Sequence, residues 1–358
     1  MTDRLAVSAP GRICLFGEHQ DYLGLDVVAA AVDLRITISG VRRADRTFVI
    51  DLPDMCAREE IALAGELPYT GKRDYLRSGL NVLRRAGADV PSGWDVVVRG
   101  TIPINAGTAS SSALVVAWDR FLLEAGGDPR AARPGELAEL GFLTEVAEFR
   151  EPGGKMDHYA AAFGRVIRLE FGEPLTVVRL DAPPGDFVLG DSLEKKDTTG
   201  TLGSVKDRVL RGVGRIRELF PEFSLKASLT PELERAIERF EPAVRDPLLG
   251  AFSNRDLTAA GVAVFAARPF DDAAFGELLS REHAVLRDAL GVSTRKLDRM
   301  LDAALGAGAL GGKLNGSGGG GCMFAYAPSR AGDVAEAVEK AGGKAYIIRV
   351  DEGARVEG

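Results

Sequence analysis

Apolar positions along the first hundred residues fall into short continuous or alternating runs broken by glycine and proline. Residues 6–8, 12–16 and 27–39 predict strands, separated by Pro10-Gly11, Gly17 and Gly24. Residues 48–51 and 94–99 (WDVVVR) predict two more. Between them, 73–85 carries Tyr75, Leu76, Leu80, Val82 and Leu83 at a helical spacing. Residues 110–125 (SSSALVVAWDRFLLEA) predict a long helix, with serines at its start and Gly126-Gly127 at its end. Helices over 135–149 and 156–163 follow, then paired strands over 166–171 and 176–180. Pro183-Pro184-Gly185 predicts a domain boundary, giving an N-terminal domain over 1–184 and a C-terminal domain over 185–358. Beyond it the pattern turns helical, over 202–219, 230–240, 256–267, 271–290 and 293–305. Strands over 311–314 and 322–326, a helix over 330–341 and a strand over 345–350 close the chain. This mixture predicts an α+β fold.

Composition narrows the function. With 358 residues, two domains or one large one are expected, and 46% hydrophobic with 27% charged residues is ordinary globular chemistry. The formal charge of −7 argues against nucleic acid or an anionic membrane as partner, while leaving room for a local phosphate pocket. Three cysteines, Cys14, Cys56 and Cys322, fit a reducing compartment, and a cytoplasmic protein is expected. No cysteine or histidine spacing suits zinc, no secretory signal pattern opens the chain, and no run nears the roughly 18–20 apolar residues of a membrane span. Glycine is abundant, 43 of 358 residues, and much of it lies in three clusters.

The first cluster is Pro10-Gly11-Arg12-Ile13-Cys14-Leu15-Phe16-Gly17-Glu18-His19-Gln20-Asp21-Tyr22. A solvated hairpin would explain it. So would a site in which carboxylates, which only accept hydrogen bonds, hold several hydroxyls of one small ligand. The second, from Pro103 to Ala113, feeds a glycine loop into the 110–125 helix. One serine there could cap the helix. Alternatively, the free N–H groups and the helix dipole could hold phosphate. The third, Lys313-Leu314-Asn315-Gly316-Ser317-Gly318-Gly319-Gly320-Gly321-Cys322, joins two predicted strands. It is either a linker or a backbone that closely approaches a ligand or another loop. A GxxxxGK[ST] phosphate loop, a GxGxxG after the first strand and a GxSxG elbow are all missing, which disfavours the nucleotide-binding and hydrolase classes they mark.

Taken in order, the three clusters resemble those of the GHMP kinase family, which includes galactokinases, homoserine kinases and mevalonate kinases. The first cluster is similar to the galactokinase branch, since mevalonate kinases lack its Asp-Tyr. Glu145 stands before Gly154-Lys155-Met156-Asp157-His158 at the galactokinase interval, and 283–301 is also galactokinase-like. The resemblance spans nearly the whole chain. It implies an N-terminal domain like the second domain of ribosomal protein S5, a ferredoxin-like C-terminal domain, and an active site between them. Departures include Gln20 for Thr, Leu23-Gly24 for Asn-Gly, His158 for Gln, Thr108-Ala109 in the second motif, and no sugar-stacking Tyr in 201–211.

The implied activity is transfer of phosphate from ATP to the anomeric hydroxyl of a monosaccharide, a galactose-like hexose, a pentose or a uronic acid. Asp157 and Arg12 would be catalytic. Glu18, His19, Asp21 and Gly154 would bind the sugar; Gly107, Thr108, Ala109, Ser110, Ser111 and Ser112 would hold ATP; and Ser111 with Glu145 would hold Mg²⁺. Lys155 would meet an anionic substrate group, and 75–83 is similar to the segment that flanks adenine. The alternatives are another small-alcohol kinase such as a mevalonate kinase, and a non-catalytic sugar sensor. A monomer or homodimer is expected.

Overall fold

The computed structural model describes residues 3–104, 107–195 and 198–358. Its first strand, β1 (Arg4–Phe16), merges the two runs expected at 6–8 and 12–16. It pairs antiparallel with β2 (Val27–Arg42), and the register slips between Pro10 and Gly11. Proline has no N–H to give to the ladder, so the irregularity falls where the sequence broke. The first sheet continues through β5 (Trp94–Gly100), β3 (Thr47–Leu52) and β4 (Ala57–Ala62). On the other limb β6 (Val166–Glu170) pairs with β2 and with β7 (Thr176–Leu180). The sheet is antiparallel apart from the parallel β3–β5 pair.

Helices α1 (Tyr75–Arg85), α2 (Ser110–Gly126), α3 (Pro134–Phe142) and α4 (Met156–Phe163) accompany this sheet. Helix α2 contacts β1, β2, α1, α3 and α4, so it is apolar nearly all round rather than on one stripe. Trp118 and Phe121 of α2, with Phe48 and Trp94 of the strands, anchor the core. The helix expected over 135–149 is α3 followed by a π-helical turn, Leu143–Ala147.

The second sheet is antiparallel, in the order β11 (Lys344–Ile348), β8 (Phe187–Asp191), β10 (Cys322–Tyr326), β9 (Gly311–Asn315). Around it lie α5 (Thr198–Leu219), α6 (Pro231–Ile237), α7 (Pro242–Ala266), α8 (Asp272–Asp288), α9 (Arg295–Gly306) and α10 (Ala331–Lys340). Helix α7 starts well before the expected 256, because Pro247 within it disguised its first half. Strands β4 and β8 were not foreseen, nor was the short β12 (Arg355–Val356), which returns to pair with β1. One core joins the two sheets: Ile13, Leu15, Phe16, Val28 and Val32 pack with Phe187, Phe275, Phe324 and Tyr326. The halves are therefore held together by buried apolar surface. Among the described residues no helix is long and apolar enough to cross a membrane.

Candidate active site

A cleft of about 300 Å³ opens where the loop after β1, the start of α2, the turn before α4, the start of α5 and the third glycine cluster converge. Arg12, on the buried stretch of β1, projects into it. Its Nε and Nη2 both lie 2.8 Å from Asp157 Oδ1, and its Nη1 donates to the Gly107 carbonyl at 2.6 Å. Burial works against the Arg12 charge, but Asp157 and Glu18 outweigh it and hold the guanidinium above its ordinary value. Asp157 sits in the first turn of α4, where the helix dipole favours a carboxylate, and it keeps partial access to the cleft.

Across the cleft, α2 begins without a side-chain cap. Its N-cap is Ala109, held in the left-handed region at φ 57°, and no serine caps the helix. The capping alternative for Ser110 and Ser111 is therefore overturned. The helix start, with no side-chain cap among the described residues, borders the cleft, the arrangement that accepts an anion. Gly107, Ala109, Ser110, Ser111 and Ser112 all line the cleft, whereas Asn105 and Ala106 of the same cluster lie outside the described residues. Thr108 differs from expectation. It is fully buried beneath the loop, absent from the cleft wall, and its carbonyl accepts the Arg12 N–H at 3.2 Å.

Glu145 reaches the same end of the cleft from the π-helical turn, a distortion often found at functional sites. Burial favours its protonated form, but His158, with Nε2 at 2.8 Å, and the Ser111 and Ser112 hydroxyls hold it below the usual carboxylate range. An ionised carboxylate beside a hydroxyl is a hard-oxygen pair of the kind Mg²⁺ takes, with phosphate oxygens and water completing the shell. Among the described residues no cluster of three or more His, Cys, Asp or Glu forms a self-sufficient metal site, so such an ion would need those other ligands. Asp119, bonded by Thr144 Oγ1 at 3.0 Å and pushed up to about 7 by burial, lies behind this pair.

At the opposite end, Asp21 accepts from the Tyr22 N–H at 2.8 Å and the Met156 N–H at 3.1 Å. A Cβ on Gly154 would fall 2.0 Å from Asp21 Oδ2, so only glycine lets this carboxylate lie against the turn. Burial raises Asp21 to about 6, with Asp157 and Glu18 adding to the shift. His19 lines the cleft while its ring nitrogens meet the Tyr22 hydroxyl at 2.9 Å and the Ser317 carbonyl at 3.0 Å. Glu18 also lines the cleft, but its Oε2 accepts from the Gly316 N–H at 2.8 Å and lies 3.4 Å from Lys313 Nζ. Lys313 is wholly buried and 3.6 Å from Glu282, whose Oε1 accepts from the Gly17 and Glu18 N–H groups. Burial raises Glu282 to about 7. Lys155 does not face the cleft: it pairs with Glu139 at 2.6 Å and lies over the Phe142 ring. The expectation that it meets a substrate anion is thereby overturned.

The third cluster braces the second. Asn315 Nδ2 donates to the Gly107 carbonyl at 2.9 Å, and a Cβ on Gly316 would fall 2.6 Å from that same oxygen. Next to the polar cleft lies a larger cavity of about 650 Å³ with Ile36, Leu52, Val98, Ile102 and Leu114 in its wall. The two share Arg73, Tyr75, Ser110 and Ser111. Arg73 pairs with Glu151 at 2.5 Å and reaches Thr199 Oγ1 of α5 at 3.3 Å, across the cleft. Sequence reasoning missed Glu282, Asp119 and the Arg73–Glu151 pair, whose partners are remote in the chain.

An apolar chamber opening onto an uncapped helix start, with an arginine–carboxylate pair beyond it, is the layout of a phosphotransferase for small molecules. Family models agree: the galactokinase galactose-binding signature matches residues 2–42, the GHMP kinase N-terminal domain 74–165, and the GHMP kinase C-terminal domain 264–344. A mevalonate kinase from Thermococcus onnurineus is 31% identical, over 99% of this chain and 98% of its own. A galactokinase from Haemophilus influenzae is 26% identical, over 98% of this chain and 94% of its own. The fold is that of Lactococcus lactis galactokinase complexed with galactose, at TM-score 0.82 and 22% identity, covering 99% of this chain and 95% of that one. Methanococcus jannaschii mevalonate kinase follows the same path at TM-score 0.73 and 17% identity, covering 98% and 99%. The chain belongs to the GHMP kinase family, small-molecule kinases that use ATP.

Proposed function

We propose that this kinase phosphorylates a hydroxyl of a neutral monosaccharide, the anomeric one by the galactokinase likeness, to give a sugar 1-phosphate. The observation that carries the reading is the Asp21 carboxylate, seated against Gly154 and beside the Arg12–Asp157 pair. Glu18, Asp21, Glu145, Glu151 and Asp157 line the acceptor cleft against Arg12 and Arg73, each already paired with a carboxylate. Such a wall offers acceptors to donor hydroxyls and repels an anionic acceptor such as mevalonate or a uronate. The match to the galactose-binding signature supports the same reading.

In this scheme the base and ribose of ATP occupy the apolar cavity, and its phosphates meet the N–H groups at the start of α2. Ser111 and Glu145 would hold Mg²⁺, which when bound neutralises charge on the β- and γ-phosphates. His19 and Asp21 orient the sugar. Asp157 faces the attacking hydroxyl: as the new O–P bond forms and the bridging bond to the β-phosphate breaks, the hydroxyl proton passes to its carboxylate. Arg12 holds that carboxylate in place and offsets charge on the moving phosphoryl group, and a loose transition state asks for little proton abstraction early on.

A mevalonate kinase is the second reading, favoured by the 31% identity to such enzymes. An ADP-release screen over galactose, glucose, fucose, arabinose, N-acetylgalactosamine, glucuronate, galacturonate and mevalonate decides between them. Turnover on a neutral sugar is expected. Turnover on mevalonate alone overturns the proposal, and binding without turnover on any of them returns the sensor reading.

A further inference from the structure

A separate cavity of about 250 Å³ lies on the other side of the acceptor loop: His19 and Asp21 line the active cleft, whereas the intervening Gln20 lines this one. Three cations converge on it from three parts of the fold: Arg168 of β6, Lys226 between α5 and α6, and Arg255 of α7. Each is held in place by its surroundings. Arg168 pairs with Asp26 at 2.7 Å and Glu170 at 2.9 Å. Arg255 pairs with Asp256 and donates from Nη1 to the carbonyls of Leu225 at 2.7 Å and Ala227 at 2.5 Å. Lys226 donates to the Phe171 carbonyl and has no carboxylate partner among the described residues. Arg168 and Arg255 are thus offset by acids, and Lys226, oriented by a carbonyl that does not cancel its charge, is the cation left to meet an anion.

Two buried polar atoms here lack partners among the described residues, Gln20 Oε1 and Arg168 Nε. The Gln20 amide nitrogen is committed to the Asp26 carbonyl and to Thr258 Oγ1 at 3.1 Å. The Thr258 hydroxyl itself donates to the Asn254 carbonyl, which fixes the amide with its oxygen unspent. An unsatisfied acceptor and an unsatisfied donor beside the uncompensated Lys226 call for a guest that carries both functions.

We propose that this cavity is a second binding site, for a small phosphate monoester bearing free hydroxyls. A polyol phosphate would place its phosphate toward Lys226 and Arg255 and a hydroxyl toward Gln20. Occupancy would act on the acceptor site through Gln20, which sits between the two residues that orient the acceptor. The product proposed above belongs to this chemical class, and that link rests on the proposed function; the binding site itself does not.

Calorimetric titration tests it on the full chain saturated with Mg²⁺ and a non-hydrolysable ATP analogue, so that the active-site anion pocket is filled. The probes are glycerol 3-phosphate, inorganic phosphate and glycerol. One glycerol 3-phosphate per chain is expected, with phosphate weaker and glycerol not bound. Lys226→Glu and Arg255→Gln should each weaken binding about tenfold or more, the loss of one charge-assisted contact. Lys226→Glu, on an exposed side chain, should leave basal turnover unchanged while abolishing the shift of acceptor KM that glycerol 3-phosphate causes in the wild type. Absence of binding, or binding indifferent to both substitutions, overturns the site. Equal binding of inorganic phosphate overturns the polyol contact, and binding without a change in acceptor KM overturns the coupling.

Discussion

In the proposed scheme two side chains, Asp157 and Asp21, carry most of the chemistry, and Gly154 seats the second; each position makes a separate prediction. In that scheme Asp157 faces the acceptor hydroxyl; Asp157→Ala would remove it and leave Arg12 without its partner, so kcat should fall about 100-fold or more. Gly154→Ala drives a methyl into Asp21, displacing one charge-assisted contact. The acceptor KM should rise about tenfold while the ATP KM stays put, and a rise in both would refute the assignment of this seat to the acceptor. Asp21 is raised to about 6, so its carboxylate form predominates above that pH and is lost below it. The kcat/KM for the acceptor should therefore decline as pH falls through about 6, with that limb missing in Asp21→Asn. Arg12, Asp21 and Asp157 were legible in the sequence because each sits in a short motif of fixed spacing. Lys155 misled because it neighbours Met156 and Asp157 in sequence, while its stem lies along Phe142 and its charge finds Glu139.

Among the elements, α2 was the easiest to read. Its serines and closing glycines are local signals, and its length needs no partner to be recognised. Its entry conformation was not legible, since nothing in Thr108-Ala109-Ser110 announces a left-handed alanine. That geometry costs a non-glycine residue about 1 kcal/mol, so Ala109→Gly should raise stability to urea by that order. An unchanged unfolding midpoint would show the strain to be relieved in some other way. The π-helical turn was equally hidden: 135–149 has the composition of one helix, and a one-residue slip of hydrogen bonding leaves no trace in hydrophobic spacing. Yet that turn places Glu145 beside Ser111 and Ser112 at the start of α2.

At the scale of the whole molecule, the sequence disclosed two halves but not the charges buried between them. Glu18, Glu282 and Lys313 come from three distant stretches, and only the folded chain brings them together. Lys313→Met leaves two carboxylates buried without their cation, so stability should fall by about 3–5 kcal/mol in urea titration. Asp119 has the opposite sign. Burial raises it from 3.8 to about 7, so its ionisation opposes folding as pH climbs through that interval. Asp119→Asn should be more stable than the wild type by up to ~4 kcal/mol at pH 8, with the gain vanishing near pH 4. A pH-independent difference would mean that Asp119 does not titrate on folding. Finally, a single oxygen, the Gly107 carbonyl, takes hydrogen bonds from Arg12 on the acceptor side and from Asn315 of the other half. Because Gly107 also borders the loop assigned above to phosphate, the proposed function implies that nucleotide and acceptor are not sensed independently. Whatever factor one ligand imposes on the affinity of its companion must be returned in full, and thermodynamic reciprocity makes that equality measurable from either direction.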